Sequence, residues 1–333
     1  MPWSIAWERA AFGPRGFYSE GRGASLGPAR FFRTSVHVGA VFHRAIAALL
    51  LEVDVRLGHP EVLDLVDVGS GHGELLAGVL AALPDEVCAR VRPVAVDVHA
   101  PPPEVAPRVT WIRGTAPAAV PRGLRGLVLA NEWLDDVPLD VLEVDRDGVL
   151  RLVLVETDGT EHLGPSLDDD SAWREWGLDA SLARGWLDAA WPLEHPGDRG
   201  ELGHTRDSAW ADVVARLEAG TAVAIDYRHP TGWDVGTLCG YREAGRAVAP
   251  VPDGSVNLTA HVSTGSVAER VGAAVTRQRE ALLALGVSAF RPHRDLASAD
   301  PSAYAVALQE ASDASELLDL TGLGDFRWIR LDR

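Results

Sequence analysis

Apolar residues in the first 140 positions follow a repeating order of strand-like and helix-like spacing. Residues 36–57 carry apolar side chains at helical spacing, and Gly58, His59 and Pro60 end that helix. Residues 62–68, VLDLVDV, form a near-continuous apolar run, which is typical of a parallel strand buried on both faces. The next predicted elements are a helix over 73–83 and strands over 92–98, 108–112 and 126–131. Strands that alternate with helices predict a parallel, doubly wound α/β sheet.

The pattern changes after residue 138. Residues 140–163 alternate apolar and polar positions around two Asp-Gly turns, which predicts antiparallel hairpins. Residues 222–227, AVAIDY, resume the buried-strand pattern. The other predicted elements are helices within 170–220, near 265–285 and over 302–318, and a strand over 326–331.

These patterns predict one Rossmann-like α/β core, with a mixed hairpin and helical insertion between its fourth and fifth strands. The predicted organisation is an N-terminal cap segment and helix (1–60), a core (61–138 plus 221–333) and an insertion subdomain (139–220). The first 35 residues are rich in glycine and aromatic side chains, and we expect ordered loop with short elements there.

Composition narrows the class of protein. A hydrophobic content of 47% and a charged content of 24% are ordinary for a soluble globular protein. All 31 basic residues are arginine, and a formal net charge of −17 argues against binding to a nucleic-acid backbone. The two cysteines, Cys88 and Cys239, predict neither a disulfide framework nor a metal site. With no signal-peptide pattern and no apolar stretch of about 18 residues, we expect a cytoplasmic protein without membrane spans.

A glycine-rich turn follows the strand at 62–68. It reads D-V-G-S-G-H-G-E over residues 67–74, with Gly69, Gly71 and Gly73 in alternate positions. A dinucleotide fingerprint requires a small residue where Glu74 stands, although an NAD- or FAD-linked oxidoreductase stays open as an alternative. A P-loop requires a lysine, which this chain lacks. The remaining pattern, D-x-G-x-G-x-G, resembles that of methyltransferases dependent on S-adenosylmethionine (SAM).

The charges near this turn suit SAM. SAM carries a sulfonium and an ammonium group, so a carboxylate at Asp67 is favourable. The glycines allow close approach of the backbone to the ligand. Asp97 ends the next strand, where its carboxylate can accept hydrogen bonds from both ribose hydroxyls. Thr115 follows the third strand, where the adenine edge is expected.

Stretches along nearly the whole chain resemble one family, the MidA-type SAM-dependent methyltransferases, which include the mitochondrial complex I assembly arginine methyltransferase. ANEWLDDVP (130–138) resembles the family's A-N-E-F-x-D-A-L-P, and NLTAHV (257–262) resembles its D-L-T-A-H-V-D. Three further stretches are similar to family motifs: 16–42, 225–242 and 321–331.

The resemblance implies roles for particular residues. The residues implied to bind the cofactor are Asp67, Gly69, Gly71, Gly73, Asp97, Thr115, Asn131, Thr34 and Ser35. The residues implied to act in catalysis are Glu132, Asp135 and His261, with acidic groups orienting the acceptor and helping to remove its proton. The residues implied to line the acceptor pocket are Asp226 and Tyr227. His37 replaces a family residue, and we expect it to be a new contact in the substrate pocket. No metal is expected.

Some family positions differ in this chain. The family's G-D-F is Arg30-Phe31-Phe32, and its P-E is Val36-His37. Asn257 and Ser263 replace acids at the two ends of D-L-T-A-H-V-D, and His72 replaces the arginine of the glycine loop. Paired carboxylates are the preferred partners of a guanidinium group, so these changes leave the acceptor open.

The sequence therefore predicts an enzyme that transfers a methyl group from SAM to a nitrogen or oxygen acceptor and releases S-adenosylhomocysteine. The acceptor is a protein or peptide side chain, with arginine the family default, or a small molecule or peptide of specialised metabolism. A SAM-fold assembly factor that binds partners without turnover is a further alternative. A homodimer is compatible with each of these interpretations.

Overall fold

The computed structural model describes residues 1–18, 34–103, 105, 107–228, 236–242 and 245–333. The predicted family position Arg30-Phe31-Phe32 and residues 229–235 of the 225–242 motif lie outside the described residues. Contacts between Cα atoms divide the chain into two units of three segments each. The sheet unit contains Arg33–Glu132, Val213–Asp226 and Gly272–Arg333, and the hairpin unit contains Met1–Phe32, Trp133–Asp212 and Tyr227–Val271.

The helices and strands are numbered in chain order. The helices are α1 (Trp3–Phe12), α2 (Ala40–Arg56), α3 (Glu74–Ala82), α4 (Asp85–Cys88), α5 (Asp170–Glu175), α6 (Ala180–Ala190), α7 (His204–Val214), α8 (Thr264–Val271), α9 (Gln278–Ala284), α10 (Arg294–Ala299) and α11 (Pro301–Leu317). The strands are β1 (Leu63–Val68), β2 (Val91–Asp97), β3 (Thr110–Arg113), β4 (Leu124–Asn131), β5 (Val141–Val144), β6 (Leu150–Val155), β7 (Glu161–Ser166), β8 (Arg199–Glu201), β9 (Leu217–Asp226), β10 (Cys239–Arg242), β11 (Arg246–Val248), β12 (Asn257–Thr259), β13 (Ala274–Arg277) and β14 (Arg327–Asp332). Short 3₁₀ turns occupy Ser35–His37 and Leu323–Asp325.

A seven-stranded sheet organises the sheet unit, in the order β13-β14-β9-β4-β1-β2-β3. The strands β3, β2, β1, β4 and β9 are parallel, whereas β14 runs antiparallel to both of its neighbours. All six residues of β1 are buried, as the continuous apolar run predicts. This mostly parallel sheet confirms the predicted Rossmann-like fold.

Helices α2 and α3 share the main apolar core with the central strands. Phe42, Ile46, Leu49 and Leu50 on α2 are buried in a cluster that also contains residues of β1, β4 and β9. The predicted helix over 36–57 begins only at Ala40, because Ser35–His37 forms the preceding 3₁₀ turn. The core therefore holds this turn at the start of α2.

The hairpin unit contains two smaller antiparallel sheets. Their strand orders are β7-β6-β5-β8 and β11-β10-β12. The Asp-Gly turns predicted at Asp147 and Asp158 connect β5 to β6 and β6 to β7. Trp173, Trp186 and Trp191 are buried together in an apolar cluster of this unit, which favours a packing role for them.

Several local predictions differ from the structure. The stretch near 265–285 contains β13 between α8 and α9, because pairing with β14 draws Ala274–Arg277 into the sheet edge. The stretch 170–220, which the pattern predicts to be helical, also includes β8. Within the first 35 residues, where loop with short elements is expected, the structure contains the helix α1. The hairpin unit also takes in Met1–Phe32 and Tyr227–Val271, beyond the predicted insertion 139–220.

Candidate functional site

The glycine-rich turn lies between β1 and α3 in the sheet unit. Gly69, Gly71 and Gly73 have φ angles of 71°, 59° and 82°, a region that disfavours side chains with a Cβ atom. Gly73 is the residue that precedes α3. The alternating glycines are therefore required by the backbone path of the turn.

Asp97, at the end of β2, supports this turn directly. Its Oδ2 atom accepts a hydrogen bond of 2.9 Å from the Gly71 amide, and its Oδ1 atom accepts one of 2.6 Å from the Val98 amide. His99 Nε2 lies 3.3 Å from Oδ1. Because a carboxylate can accept about four hydrogen bonds, Oδ2 has capacity for a ligand hydroxyl beside the Gly71 amide.

Asp67 is buried at the end of β1. Its Oδ2 atom accepts a hydrogen bond of 2.8 Å from Ser70 Oγ. Burial raises the pKa of Asp67 to about 7, and the neighbouring charges of Asp97 and Glu74 contribute. Burial also raises the pKa of Asp97. Two buried carboxylates with raised pKa values favour a cationic ligand, since its charge would stabilise their ionised forms.

The 3₁₀ turn at Ser35–His37 is linked to the start of α3. Thr34 Oγ1 and His37 Nδ1 are 2.6 Å apart, and His37 Nε2 lies 3.6 Å from Glu74 Oε1. Glu74 also accepts a hydrogen bond of 3.1 Å from the His72 amide. The predicted cofactor-binding Thr34 and the predicted pocket residue His37 are thus brought together beside the glycine turn, with Glu74 as a partner that the sequence did not indicate.

Asn131, Glu132 and Ser35 meet at the end of β4. Glu132 Oε1 accepts hydrogen bonds from Asn131 Nδ2 at 3.0 Å and from the Ser35 amide at 3.3 Å. Glu132 has φ = 51°, and such strained backbone conformations cluster at functional sites. Asn131 Oδ1 is buried and has no hydrogen-bond partner among the described residues. An unsatisfied buried acceptor indicates a missing donor, such as a ligand or water.

Three other predicted residues have different surroundings. Ser35 Oγ is hydrogen-bonded to the buried Gln278 side chain. Thr115 is exposed, and its carbonyl oxygen accepts a hydrogen bond from the Ala119 amide. Asp226 is buried at the end of β9. Their ligand contacts stay predictions.

The hairpin unit brings three other predicted residues together. The Oδ2 atom of Asp135 accepts hydrogen bonds from Tyr227 Oη and, at 2.8 Å, from Thr259 Oγ1. The Tyr227 and Thr259 hydroxyl oxygens are also in contact, and since each hydroxyl has one proton, only two of these three hydrogen bonds form at a time. The rings of Tyr227 and His261 are perpendicular, with centroids 5.0 Å apart. Asp135 is buried and Tyr227 and His261 are half-buried. Together they form one polar cluster, which we call the Asp135 cluster.

A second carboxylate, Asp136, is next to Asp135 in the chain. Tyr18 Oη lies 2.6 Å from Asp136 Oδ2 and 2.7 Å from Asn257 Oδ1. Burial raises the pKa of Asp136 well above its ordinary value, and the charge of Asp135 raises it further. The proton therefore stays on Asp136 at a pH where ordinary aspartates are ionised.

The His261 ring is held in one tautomer. Its Nδ1 atom lies 3.1 Å from the Arg228 carbonyl oxygen, and because a carbonyl only accepts, Nδ1 carries the proton. In the neutral ring Nε2 then carries the lone pair. Burial lowers the pKa of His261 below its ordinary value of 6.5, so this neutral form predominates at neutral pH. Such a ring can act as a general base.

Several residues near the Asp135 cluster carry no local sequence signal. Arg206 and Thr237 contact the main chain of Asp135 and His261, and Glu201 accepts a hydrogen bond from the Thr237 hydroxyl. Their contacts join segments far apart in sequence, so no local pattern could indicate them. Tyr18 and Asp136 were within stretches that resemble the family motifs, which was the only available signal.

None of the helices in the described part of the chain has the length and apolar character needed to cross a membrane.

Residues 45–280 match the model of a family described as "Putative S-adenosyl-L-methionine-dependent methyltransferase". A comparison with curated proteins found no match.

Two crystal structures of proteins from Burkholderia thailandensis share the fold of this chain. One is bound to S-adenosylhomocysteine and has a TM-score of 0.76 at 24% identity, covering 100% of this chain and 88% of that chain. The other is a native structure with a TM-score of 0.74 at 24% identity, covering 100% of this chain and 87% of the other. The glycine turn, Asp67, Asp97 and Asn131 fit the cationic cofactor of this family, and the chain belongs to the SAM-dependent methyltransferases that the matching family model describes.

Proposed function

We propose that this enzyme is of the MidA type and methylates a nitrogen or oxygen atom of an acceptor that loses a proton during transfer. The orientation of His261 carries this proposal, because a half-buried imidazole with Nδ1–H donated to the Arg228 carbonyl keeps a basic Nε2. A proton-accepting group is useful for nitrogen and oxygen nucleophiles, which lose a proton as the new bond to carbon forms.

The cofactor side of the proposal rests on residues of the sheet unit. Asp97 would accept hydrogen bonds from the ribose hydroxyls, and Asp67 would offset the positive charge of the ligand. Asn131 Oδ1, a buried acceptor, would receive a donor from the ligand. When bound, SAM supplies an electrophilic methyl group on a sulfonium centre. The protein's task is then mostly alignment and proton removal.

The acceptor side of the proposal rests on the hairpin unit. His261 Nε2 would take the proton from the attacking atom. Asp135 would orient the acceptor, with Tyr227 and Thr259 holding its Oδ2 atom. Glu132, Asp226 and His37 stay proposed contributors, and Glu132 also anchors the Ser35 amide.

Labelled methyl transfer tests this function. The purified enzyme is incubated with methyl-labelled SAM and with a cell lysate separated into protein, peptide and small-molecule fractions. We expect label in one fraction, on a nitrogen or oxygen atom identified by mass spectrometry. Label on carbon or sulfur would contradict the proposed chemistry, and SAM binding without transfer to any fraction would favour a non-catalytic assembly factor. Label in the protein fraction supports the side-chain acceptor, with arginine the first residue to examine.

The pKa of Asp67 predicts a pH dependence of cofactor binding. A cationic ligand favours ionised Asp67, so binding releases a proton wherever the carboxyl is still protonated. With a pKa of about 7 in the free protein, SAM affinity should rise about ten-fold between pH 6 and pH 8 and level off above that. Calorimetry in buffers of different ionisation enthalpy would measure both the affinity and the released proton.

Asp67→Asn is the matched variant for this measurement. It keeps the side-chain shape and an acceptor for Ser70 Oγ but cannot ionise, so its SAM affinity should be weaker and nearly independent of pH over this range. A wild-type affinity that stays constant from pH 6 to pH 8 would show that Asp67 does not titrate there or does not sense the ligand charge.

A further inference from the structure

Arg206 is a buried charge in the hairpin unit. It belongs to α7, and only 1% of its surface is exposed. A buried guanidinium is strongly destabilising unless hydrogen bonds and nearby charge compensate it. Its carbon Cζ lies 5.6 Å from the centre of the Trp7 ring, close enough for a cation–π contact.

The guanidinium group donates to four main-chain carbonyl oxygens. Nη2 bonds to Asp135 at 2.7 Å and Nε bonds to Val137 at 3.0 Å, both in the segment that follows β4. Nη1 bonds to Ala260 at 2.9 Å and to His261 at 3.0 Å, in the segment that follows β12. One side chain thus joins two segments more than a hundred residues apart in sequence.

A second side chain holds His261 from its amide side. The His261 N–H donates to Thr237 Oγ1 at 2.8 Å, and the Thr237 hydroxyl donates to Glu201 Oε2 at 2.6 Å. Glu201 also accepts the Leu238 amide at 2.6 Å. Both main-chain polar groups of His261 are therefore bonded to side chains from other elements. Its ring is additionally bonded to the Arg228 carbonyl.

We propose that Arg206 and Thr237 are positioning residues for methyl transfer, holding the main chain of His261 and Asp135 in the arrangement that the reaction needs. This inference rests on the proposed function of His261 as the proton acceptor. Neither residue touches the reacting atoms in this proposal, since both act on the main chain. Small displacements of a catalytic group reduce rates strongly, which makes such anchoring consequential.

The chemistry of the two residues suits this role. The planar fork of arginine presents five N–H donors in fixed directions, whereas a lysine ammonium presents three from one atom. The charge of Arg206 also lowers the pKa of His261, in addition to the larger effect of burial. Loss of that charge should raise the pKa of His261, and a purely structural residue far from the ring would not cause this shift.

Two variant pairs test the proposal on the full-length protein. Thr237→Val removes the hydroxyl and should lower kcat for labelled methyl transfer about ten-fold, while Thr237→Ser keeps the hydroxyl and should recover most of the rate. Arg206→Lys keeps the charge but not the fork, and should lower kcat about 10- to 100-fold. Arg206→Gln should in addition raise the His261 pKa measured by NMR. The surface control is Arg174→Gln, which breaks only an exposed ion pair with Asp170.

SAM affinity, measured by calorimetry, should change less than two-fold in every variant, because the proposed cofactor residues belong to the sheet unit. The proposal is overturned if folded Thr237→Val or Arg206→Lys retains wild-type kcat while His261→Asn loses it. Should the Arg206 variants fail to fold, the Thr237 pair decides alone. If His261→Asn itself retains the wild-type rate, the proposed role of His261 fails, and the positioning role falls with it.

Discussion

Replacement of Asp97 by alanine is expected to weaken SAM binding by at least about 100-fold. Two losses combine in this variant. The ribose hydroxyls lose a charged acceptor, and hydrogen bonds to charged groups contribute about 1.5–3 kcal/mol each. The Gly71 amide also loses its bond to Oδ2, which removes a support of the glycine turn. Calorimetric titration with SAM measures the effect directly.

Asp97→Asn provides the matched control. The amide keeps the size and one acceptor oxygen, so its affinity should fall between those of the wild type and the alanine variant. Circular dichroism of both variants checks that the sheet is intact. A folded Asp97→Ala protein that binds SAM within three-fold of the wild type would remove Asp97 from the cofactor site.

His261→Asn is expected to lower kcat by about 10²- to 10⁴-fold, the usual contribution of a positioned general base. The asparagine amide can still donate to the Arg228 carbonyl in place of Nδ1–H, but it offers no basic nitrogen. SAM affinity should stay within two-fold, since His261 belongs to the hairpin unit. Initial rates of labelled methyl transfer, at saturating SAM and varied acceptor, give kcat and KM.

The pH profile separates a basic role from a packing role. The His261 pKa lies below 6.5, so the neutral ring is present at pH 7 and above and becomes protonated as the pH falls. The wild-type rate should therefore be level above about pH 6.5 and decline at lower pH. His261→Asn should lack that decline. Protonation of Asp67 also weakens SAM binding at low pH, but saturating SAM suppresses this effect on the rate. An identical low-pH decline in both proteins would assign it to another group.

The order of buried strands along the chain and the glycine-rich turn could be predicted from sequence because their signals are local. The continuous apolar run of β1, the alternating glycines and the acids at Asp67 and Asp97 all lie within short stretches. The strand β13 carries no such signal. All four of its residues are exposed at the sheet edge, and only pairing with β14 makes Ala274–Arg277 a strand.

The surroundings of Asp135 and His261 were less predictable, because the contacts that form them are not local in sequence. Arginine is usually exposed, so the sequence offered no reason to bury Arg206. Its burial depends on carbonyl groups from residues 135–137 and 260–261, which meet only in the folded hairpin unit. The hydrogen bonds that link Glu201 to Thr237 and Thr237 to His261 likewise join segments that are distant in sequence. Residues that act through the main chain of others leave no pattern in their own neighbourhood.

The position of β14 in the sheet constrains the order in which the protein can form during synthesis. This strand, Arg327–Asp332, lies between β9 and β13 rather than at an edge. Until the ribosome has released these residues, β9 exposes an unpaired strand edge, and β13 has no neighbour. Exposed edges recruit other chains, so nascent protein at this stage is a candidate for chaperone binding and for aggregation.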